Sequence, residues 1–384
     1  MTTSLPRLGL ALSGGGLRAA AFHLGVLRYL AERSLLEQVN QISTVSGGSL
    51  IVGGIFAQSD GSWPTSVRFL DAIFPSLRAT LVSSDLFSLR ALGIGNIFCS
   101  SKDILFDRAR ILSRQLQHHW GIQLRLCDLP VSPIWHINAT SFETGKNWRF
   151  SRESMGDWRF GTYFEPKVTV ADAIAASAAV PYVIGALKLE LPSQGWWHTD
   201  PATKEPLRKI SPGLQKVRLW DGGAYENLAL EPLFKPAEGL KGSDVLICAD
   251  ASAPLGRPTD VLSSLLKGQL AGPRLFDIAS DQIRSLRSRM LVGAIQRGEI
   301  KGFLLRLGSS ARQFGFSAPK ASEYLSDDES QTSLAYPTNL TRMPEDLFDL
   351  IARHGYEVAA MTIERHGDHI LFGPKAVADE RIAM

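Results

Sequence analysis

The chain has 384 residues, 45% hydrophobic and 21% charged, with a net charge of +3. That is a globular balance with ample material for a large core, in two domains or one large one. The small charge, on basic residues that are scattered rather than run together, argues against a nucleic-acid partner.

Residues 8–13 (LGLALS) form a short apolar run, expected as a central strand, and Gly14-Gly15-Gly16 follows. Residues 17–33 are apolar on nearly every face and predict a buried helix. A second strand is expected over 41–45 and a second helix over 48–57, an α/β start with parallel strands. Residues 65–120 have an irregular helical pattern, expected as an insertion or cap over the sheet. Ala109, Leu112 and Leu116 fall near helical spacing there. Strands are expected at 134–140, 188–191, 217–220 and 244–250, and an Ala-rich helix at 170–179. Residues 192–212 read as a loop carrying an exposed Trp196-Trp197-His198.

Pro254, Gly256 and Pro258 mark a change of texture. This suggests a core over 7–252 and a C-terminal extension over 253–384. Within the extension, a long helix to about 297, a strand at 302–307, a mobile polar stretch at 309–339 and a helix at 347–364 are expected. Cys99, Cys127 and Cys248 are odd in number and widely spaced. They read as thiols of a reducing compartment, not as a disulfide framework or zinc site. The N-terminal apolar run is too short for a signal peptide, and no uninterrupted run reaches the ~18 apolar residues of a membrane span. A soluble, cytoplasmic protein is the expectation.

Three stretches carry chemistry. Ile42-Ser43-Thr44-Val45-Ser46-Gly47-Gly48 reads as a strand turning sharply at a serine into a helix, the geometry of a nucleophile elbow. Gly47 and Gly48 suit such a turn, because residues without Cβ allow close approach and unusual backbone angles. The first glycine of the G-x-S-x-G pattern is replaced by Thr44. Gly14-Gly15-Gly16 at a helix start offers unsatisfied N–H donors to an oxyanion. Arg18, a cation in the first helical turn, opposes the helix dipole and calls for a bound anion or a buried carboxylate. Asp221-Gly222-Gly223 follows a strand end and supplies a candidate base; a turn aspartate before glycine is the plainer reading of that stretch.

Together these stretches resemble the patatin-like phospholipase family, which shares its plan with cytosolic phospholipase A2. Ser13-Gly14-Gly15-Gly16-Leu17-Arg18-Ala19, Val45-Ser46-Gly47-Gly48-Ser49 and Asp221-Gly222-Gly223-Ala224-Tyr225-Glu226-Asn227 carry the resemblance. Ala176-Ser177-Ala178-Ala179-Val180-Pro181 adds to it. The resemblance covers about residues 7–252. It implies a three-layer α/β/α fold with a mostly parallel sheet. It also implies a Ser46 nucleophile with Asp221 as general base, a dyad that needs no histidine, metal or other cofactor. Gly14, Gly15 and Gly16, with Arg18, would form the oxyanion hole, and Gly47 and Gly48 the elbow. The implied reaction is hydrolysis of a phospholipid or lysophospholipid acyl ester through an acyl-enzyme. Two positions depart from the family pattern. Thr44 stands in place of glycine, and Ser13 in place of an aspartate frequent in patatins.

Other readings compete. An α/β-hydrolase triad would add His354, His366 or His369 in the order Ser, Asp, His. Gly14-x-Gly16-x-x-Ala19 also fits a dinucleotide-binding turn, but no ribose-binding acid closes the next strand. A non-enzymatic lipid binder would not need both Ser46 and Asp221. His23, His118, His119, His136 and His198 read as packing or surface residues. Peripheral membrane contact would fall on Trp196-Trp197 or on Arg284, Arg287 and Arg289. Packing tryptophans and a solvated helix face are the simpler readings of both.

Overall fold

The computed structural model describes residues 5–86, 108–181, 183–200, 203–253, 271–367 and 370–371. The chain opens with β1 (Leu8–Leu12), α1 (Gly16–Ala31), β2 (Val39–Thr44) and α2 (Gly47–Gln58). β1 is buried along its whole length and pairs in parallel with β2. A purely apolar strand covered on both faces is what a parallel sheet between helical layers requires. Short helical turns at Ser66–Arg68 and Phe69–Ile73 lead into α3 (Phe74–Ser83), and α4 (Arg108–His119) follows. Leu77, Leu81, Ala109, Leu112 and Leu116 all enter the main hydrophobic core. The described parts of the segment expected as an insertion or cap thus pack into the main core; the rest of it, 87–107, including Ile104 and Leu105 of the expected helical pattern, lies outside the described residues.

The sheet then turns antiparallel. β3 (Ile134–Ser141), β4 (Asn147–Phe150), β5 (Ser154–Asp157) and β6 (Gly161–Phe164) form a meander. After α5 (Val170–Ser177) come β7 (Leu187–Glu190), β8 (Trp196–Thr199), β9 (Pro206–Ile210) and β10 (Lys216–Asp221). The loop expected over 192–212 is thus mostly a β8–β9 hairpin. Trp196 is fully buried against Trp148, Phe160 and Tyr163, and its indole N–H donates to the Pro192 carbonyl at 2.8 Å. A Trp-Trp pair in a strand alternates inward and outward, so only Trp197 keeps partial exposure.

A small hairpin, β11 (Phe234–Lys235) and β12 (Gly239–Leu240), precedes β13 (Val245–Asp250). Then come α6 (Ala271–Gln296), β14 (Lys301–Arg306), α7 (Asp327–Ala335) and α8 (Glu345–His366). Among the described residues, twelve strands share one sheet in the order β14-β13-β1-β2-β3-β4-β5-β6-β8-β9, with β10 joining β3 and β7. The run β14 to β3 is parallel throughout. Helices flank this parallel centre, giving the α/β architecture expected.

The chain beyond residue 253 is woven into the same sheet and core. β14 pairs with β13 over its whole length. α8 lies along α1 at close range, because a Cβ on Gly25 would strike the Ala352 carbonyl and one on Gly355 the Phe22 carbonyl. Phe22, Leu27, Phe348, Ile351 and Val358 are fully buried around that contact, each worth about 1.5–3 kcal/mol of burial. The stretch expected to be mobile, 309–339, holds α7 and packs Phe314, Phe316 and Tyr336 on the core. Among the described residues, no helix is long and apolar enough to cross a membrane.

Candidate active site

One edge of β3 brings the key residues together. β2 runs parallel to β3 and ends with Thr44 opposite Ile137. β10 runs antiparallel to β3 and ends with Asp221 opposite Ala139. The C-terminal ends of β2 and β10 therefore meet nearly head to head, two β3 positions apart. A Cβ on Gly222 would touch the Val45 side chain and the Asn138 carbonyl, which shows how closely the two ends abut.

Ser46 sits at the turn between β2 and α2 with φ 50° and ψ −113°. A non-glycine residue there carries backbone strain of order 1–3 kcal/mol and persists only when its surroundings hold it. Its N–H donates to the Ser177 hydroxyl at 2.9 Å and its carbonyl accepts from Leu50 N–H at 3.0 Å. The unusual backbone thus falls on the serine itself. Gly47 and Gly48 serve close approach: a Cβ would collide with the Gly16 carbonyl in the first case and the Leu12 carbonyl in the second.

Asp221 is 6% exposed. Its N–H donates to the Ala179 carbonyl at 2.9 Å, and its own carbonyl accepts from the Thr140 hydroxyl at 2.8 Å. The carboxyl accepts from Gly223 N–H at 2.7 Å and lines the same cleft as Ser46. Burial pushes its pKa from 3.8 up to about 6, and the Gly223 N–H and the nearby Ser46 hydroxyl pull back against that rise. Desolvation penalises the charged form, so a partly dry carboxylate becomes a better base near neutral pH.

The glycine loop follows β1. Gly14 N–H donates to the Asn227 carbonyl at 3.2 Å, and Leu17 N–H to the Asn339 carbonyl at 3.0 Å. Gly14 is therefore not a free donor. Among the described residues, the N–H groups of Gly15 and Gly16 have no backbone or side-chain acceptor, and both residues line the same cleft as Ser46 and Asp221. Gly16 adopts φ 63°, and a Cβ there would strike the Asn339 carbonyl. Ser13 holds the loop down: its hydroxyl accepts from Ala251 N–H at 2.8 Å, and the buried His23 ring meets its carbonyl at 2.9 Å.

Among the described residues, the hydrogen-bond partners of Arg18 include no carboxylate. Its buried guanidinium donates to the carbonyls of Tyr336 at 2.5 Å and Ala251 at 3.3 Å and to the Thr338 hydroxyl at 3.0 Å. Burial lowers its pKa to about 10, and the field of Asp250 opposes the drop. It remains charged at neutral pH and straps the 336–339 segment across the start of α1.

The cleft has a volume of about 660 Å³. Val180, Pro181, Val183 and Ile184 give it an apolar wall. Sequence reasoning missed the part supplied from far downstream: Phe276, Ser280 and Arg284 of α6, and residues 338–341. No local motif marks them. Arg284 bonds Asp250 at 3.3 Å and Asp281 at 2.7 Å, and Arg287 pairs with Glu231, so of the three arginines considered for a membrane only Arg289 is exposed.

No histidine lines the cleft among the described residues. His354 is buried in α8, where its ring accepts from Gly308 N–H at 2.9 Å beside Phe22. His366 lies beside Phe314, and His369 lies outside the described residues. Of the histidines considered for a triad, the two described ones, His354 and His366, do not line the cleft. The dinucleotide reading fails, since the end of β2 is occupied by the serine turn. Among the described residues, no group of His, Cys, Asp or Glu is gathered to hold a metal.

The human GIVD cytosolic phospholipase A2 structure superposes with a TM-score of 0.53 at 16% identity, covering 96% of this chain and 63% of that one. The same enzyme with methyl gamma-linolenyl fluorophosphonate and terbium chloride gives 0.51 at 15% identity, over 96% and 60%. This chain thus spans less than two thirds of those neighbours, and at such identities the likeness is one of fold. No curated protein matches the chain in sequence. The family model for patatin-like phospholipase matches residues 10–234, more than half of the chain and all three motifs. The chain belongs to the patatin-like phospholipase family.

Proposed function

We propose that the protein is a serine acyl hydrolase acting on phospholipid or lysophospholipid esters, with Ser46 as nucleophile and Asp221 as its base. The observation that carries this reading is the head-on meeting of β2 and β10, which brings Ser46 and the buried Asp221 into one cleft. Asp221 takes the Ser46 hydroxyl proton as the oxygen attacks the ester carbonyl carbon. The carbonyl electrons move onto oxygen, toward the free N–H groups of Gly15 and Gly16. One such donor is worth about 2.7–4 kcal/mol in the transition state. Collapse expels the alcohol, which leaves with the proton from Asp221. Water then cleaves the acyl-enzyme with Asp221 again as base, so no histidine is needed.

In this reading Gly14 and Arg18 build the oxyanion loop and do not touch substrate. Gly14 anchors it to Asn227, and Arg18 fixes the strap beside it. The apolar wall supports an acyl chain, and Val183, 56% exposed at the cleft, supports contact with a lipid surface. The human neighbour of like fold is bound by methyl gamma-linolenyl fluorophosphonate, which makes a fluorophosphonate a suitable probe of this site. The test is hydrolysis of a mixed phospholipid and lysophospholipid panel by wild type and Ser46→Ala. Fatty-acid release by wild type alone supports the reading, and equal release by Ser46→Ala overturns it.

A further inference from the structure

Behind the serine turn runs a buried polar chain. The Trp135 indole N–H donates to the Thr44 hydroxyl at 2.9 Å. Thr44 and Ser49 hydroxyls meet at 2.8 Å, and Ser49 and Ser177 hydroxyls at 2.9 Å. Ser177 then accepts from the Ser46 N–H. Thr44, Ser49 and Ser177 are fully buried and Trp135 is 2% exposed. Both ends of the chain are obligate N–H donors, so Thr44 and Ser177 must each turn a lone pair outward along it.

We infer that this chain positions the nucleophile, and that Thr44 is the residue that completes it in place of the family's glycine. The inference rests on the reading of Ser46 as nucleophile. Ser46 holds a strained backbone, and its N–H donates to the Ser177 hydroxyl. Ser177 is the last residue of α5, and Ala179 just beyond it accepts the Asp221 N–H. One helix end therefore fixes both the serine and the carboxylate. Ser177 keeps its rotamer because Ser49 meets it, and Ser49 is met in turn by Thr44. A glycine at 44 would supply no oxygen, leaving the buried Trp135 N–H unpaired and Ser49 without its second contact. Each such buried orphan is costly. Here Thr44 is a positioning residue, and restoring the family pattern would damage the site.

The test compares Thr44→Val, which keeps the shape and deletes the hydroxyl, with Thr44→Ser, which keeps the hydroxyl. Ser177→Ala and the double variant Thr44→Val/Ser177→Ala complete the set. Readouts are kcat and KM on a fatty-acyl ester, the rate of fluorophosphonate labelling, and folding by circular dichroism. Thr44→Val and Ser177→Ala should each lower kcat and labelling about 10-fold or more, with KM within about threefold. Thr44→Ser should recover most of the loss. The double variant should be no worse than the weaker single one, since both break the same chain. If Thr44→Val does not fold, Ser49→Ala, a smaller deletion in the middle of the chain, carries the same expectation. Folded Thr44→Val with wild-type kcat, or Thr44→Ser losing as much as Thr44→Val, overturns the inference while leaving Ser46 as nucleophile. A wild type that neither hydrolyses esters nor labels at Ser46 overturns both.

Discussion

The Asp221 N–H and the Ser46 N–H are held by the same turn of chain, the first by the Ala179 carbonyl and the second by the Ser177 hydroxyl, each at 2.9 Å. Residues far apart in sequence thus share one anchor. That anchor, together with the abutting ends of β2 and β10, sets how the hydroxyl and carboxyl face each other.

Activity should rise with pH through about 6 and then level off. Burial lifts the Asp221 pKa to about 6, so the carboxylate that accepts the serine proton forms over that window. A pH profile of kcat/KM on a neutral ester checks this. Asp221→Asn should fall about 10²–10⁴-fold at every pH, and a variant near wild-type turnover would remove the base from the mechanism.

The same shift makes Asp221 a stability cost at neutral pH. The folded value lies above the unfolded value of 3.8, so the native state binds more protons between the two. Stability from this group is present below about pH 4 and is lost as pH rises through about 6, to the extent of roughly 3 kcal/mol. Asp221→Asn should therefore raise the melting temperature at pH 8 more than at pH 4. Equal effects at both pH values would contradict the burial assigned to the carboxyl.

Two buried histidines act in the acid direction. Burial lowers the pKa of both His23 and His354 to about 4, below the unfolded value of 6.5. Their neutral forms contribute stability that is complete above about pH 6.5 and lost as pH falls toward 4. Thermal melts from pH 7 to pH 4 should show a falling midpoint, and His354→Gln should flatten part of that slope. A slope that His354→Gln leaves unchanged would place that ring in water.

Arg18 should be a stability residue before it is anything else. Its guanidinium fans out to carbonyls from two segments and to Thr338, a pattern that one ammonium on a shorter span does not reproduce. Arg18→Lys should cost about 1–3 kcal/mol by urea unfolding. Binding of inorganic phosphate should be absent in both forms. Phosphate-dependent stabilisation of the wild type, lost in the variant, would restore the anion site that the sequence suggested.

The centre of the fold was legible because β1 and β13 are short, fully buried and mostly apolar runs, as parallel strands covered on both faces read, while the more polar β2 was marked by its end running into Ser46-Gly47-Gly48. The three motifs were legible for the same reason, being continuous in sequence. The β8–β9 hairpin was not, since Gly195 and the polar residues around Trp196-Trp197-His198 hide one buried indole beside a half-exposed one. The Arg18 partners were equally hidden: main-chain carbonyls at 251 and 336 leave no mark on residue identity. The part Thr44 plays has no mark in sequence, because Trp135, which donates to it, and Ser177, which it reaches through Ser49, come from distant segments. Gly14 looked like a donor until Asn227 took its N–H.

The most direct measurement is the site and rate of fluorophosphonate attachment, read by peptide mass mapping in wild type and Asp221→Asn. The account predicts a single adduct on the peptide containing Ser46, formed at least about tenfold more slowly in Asp221→Asn. An adduct on another residue, or equal rates at Ser46 in both proteins, would contradict it.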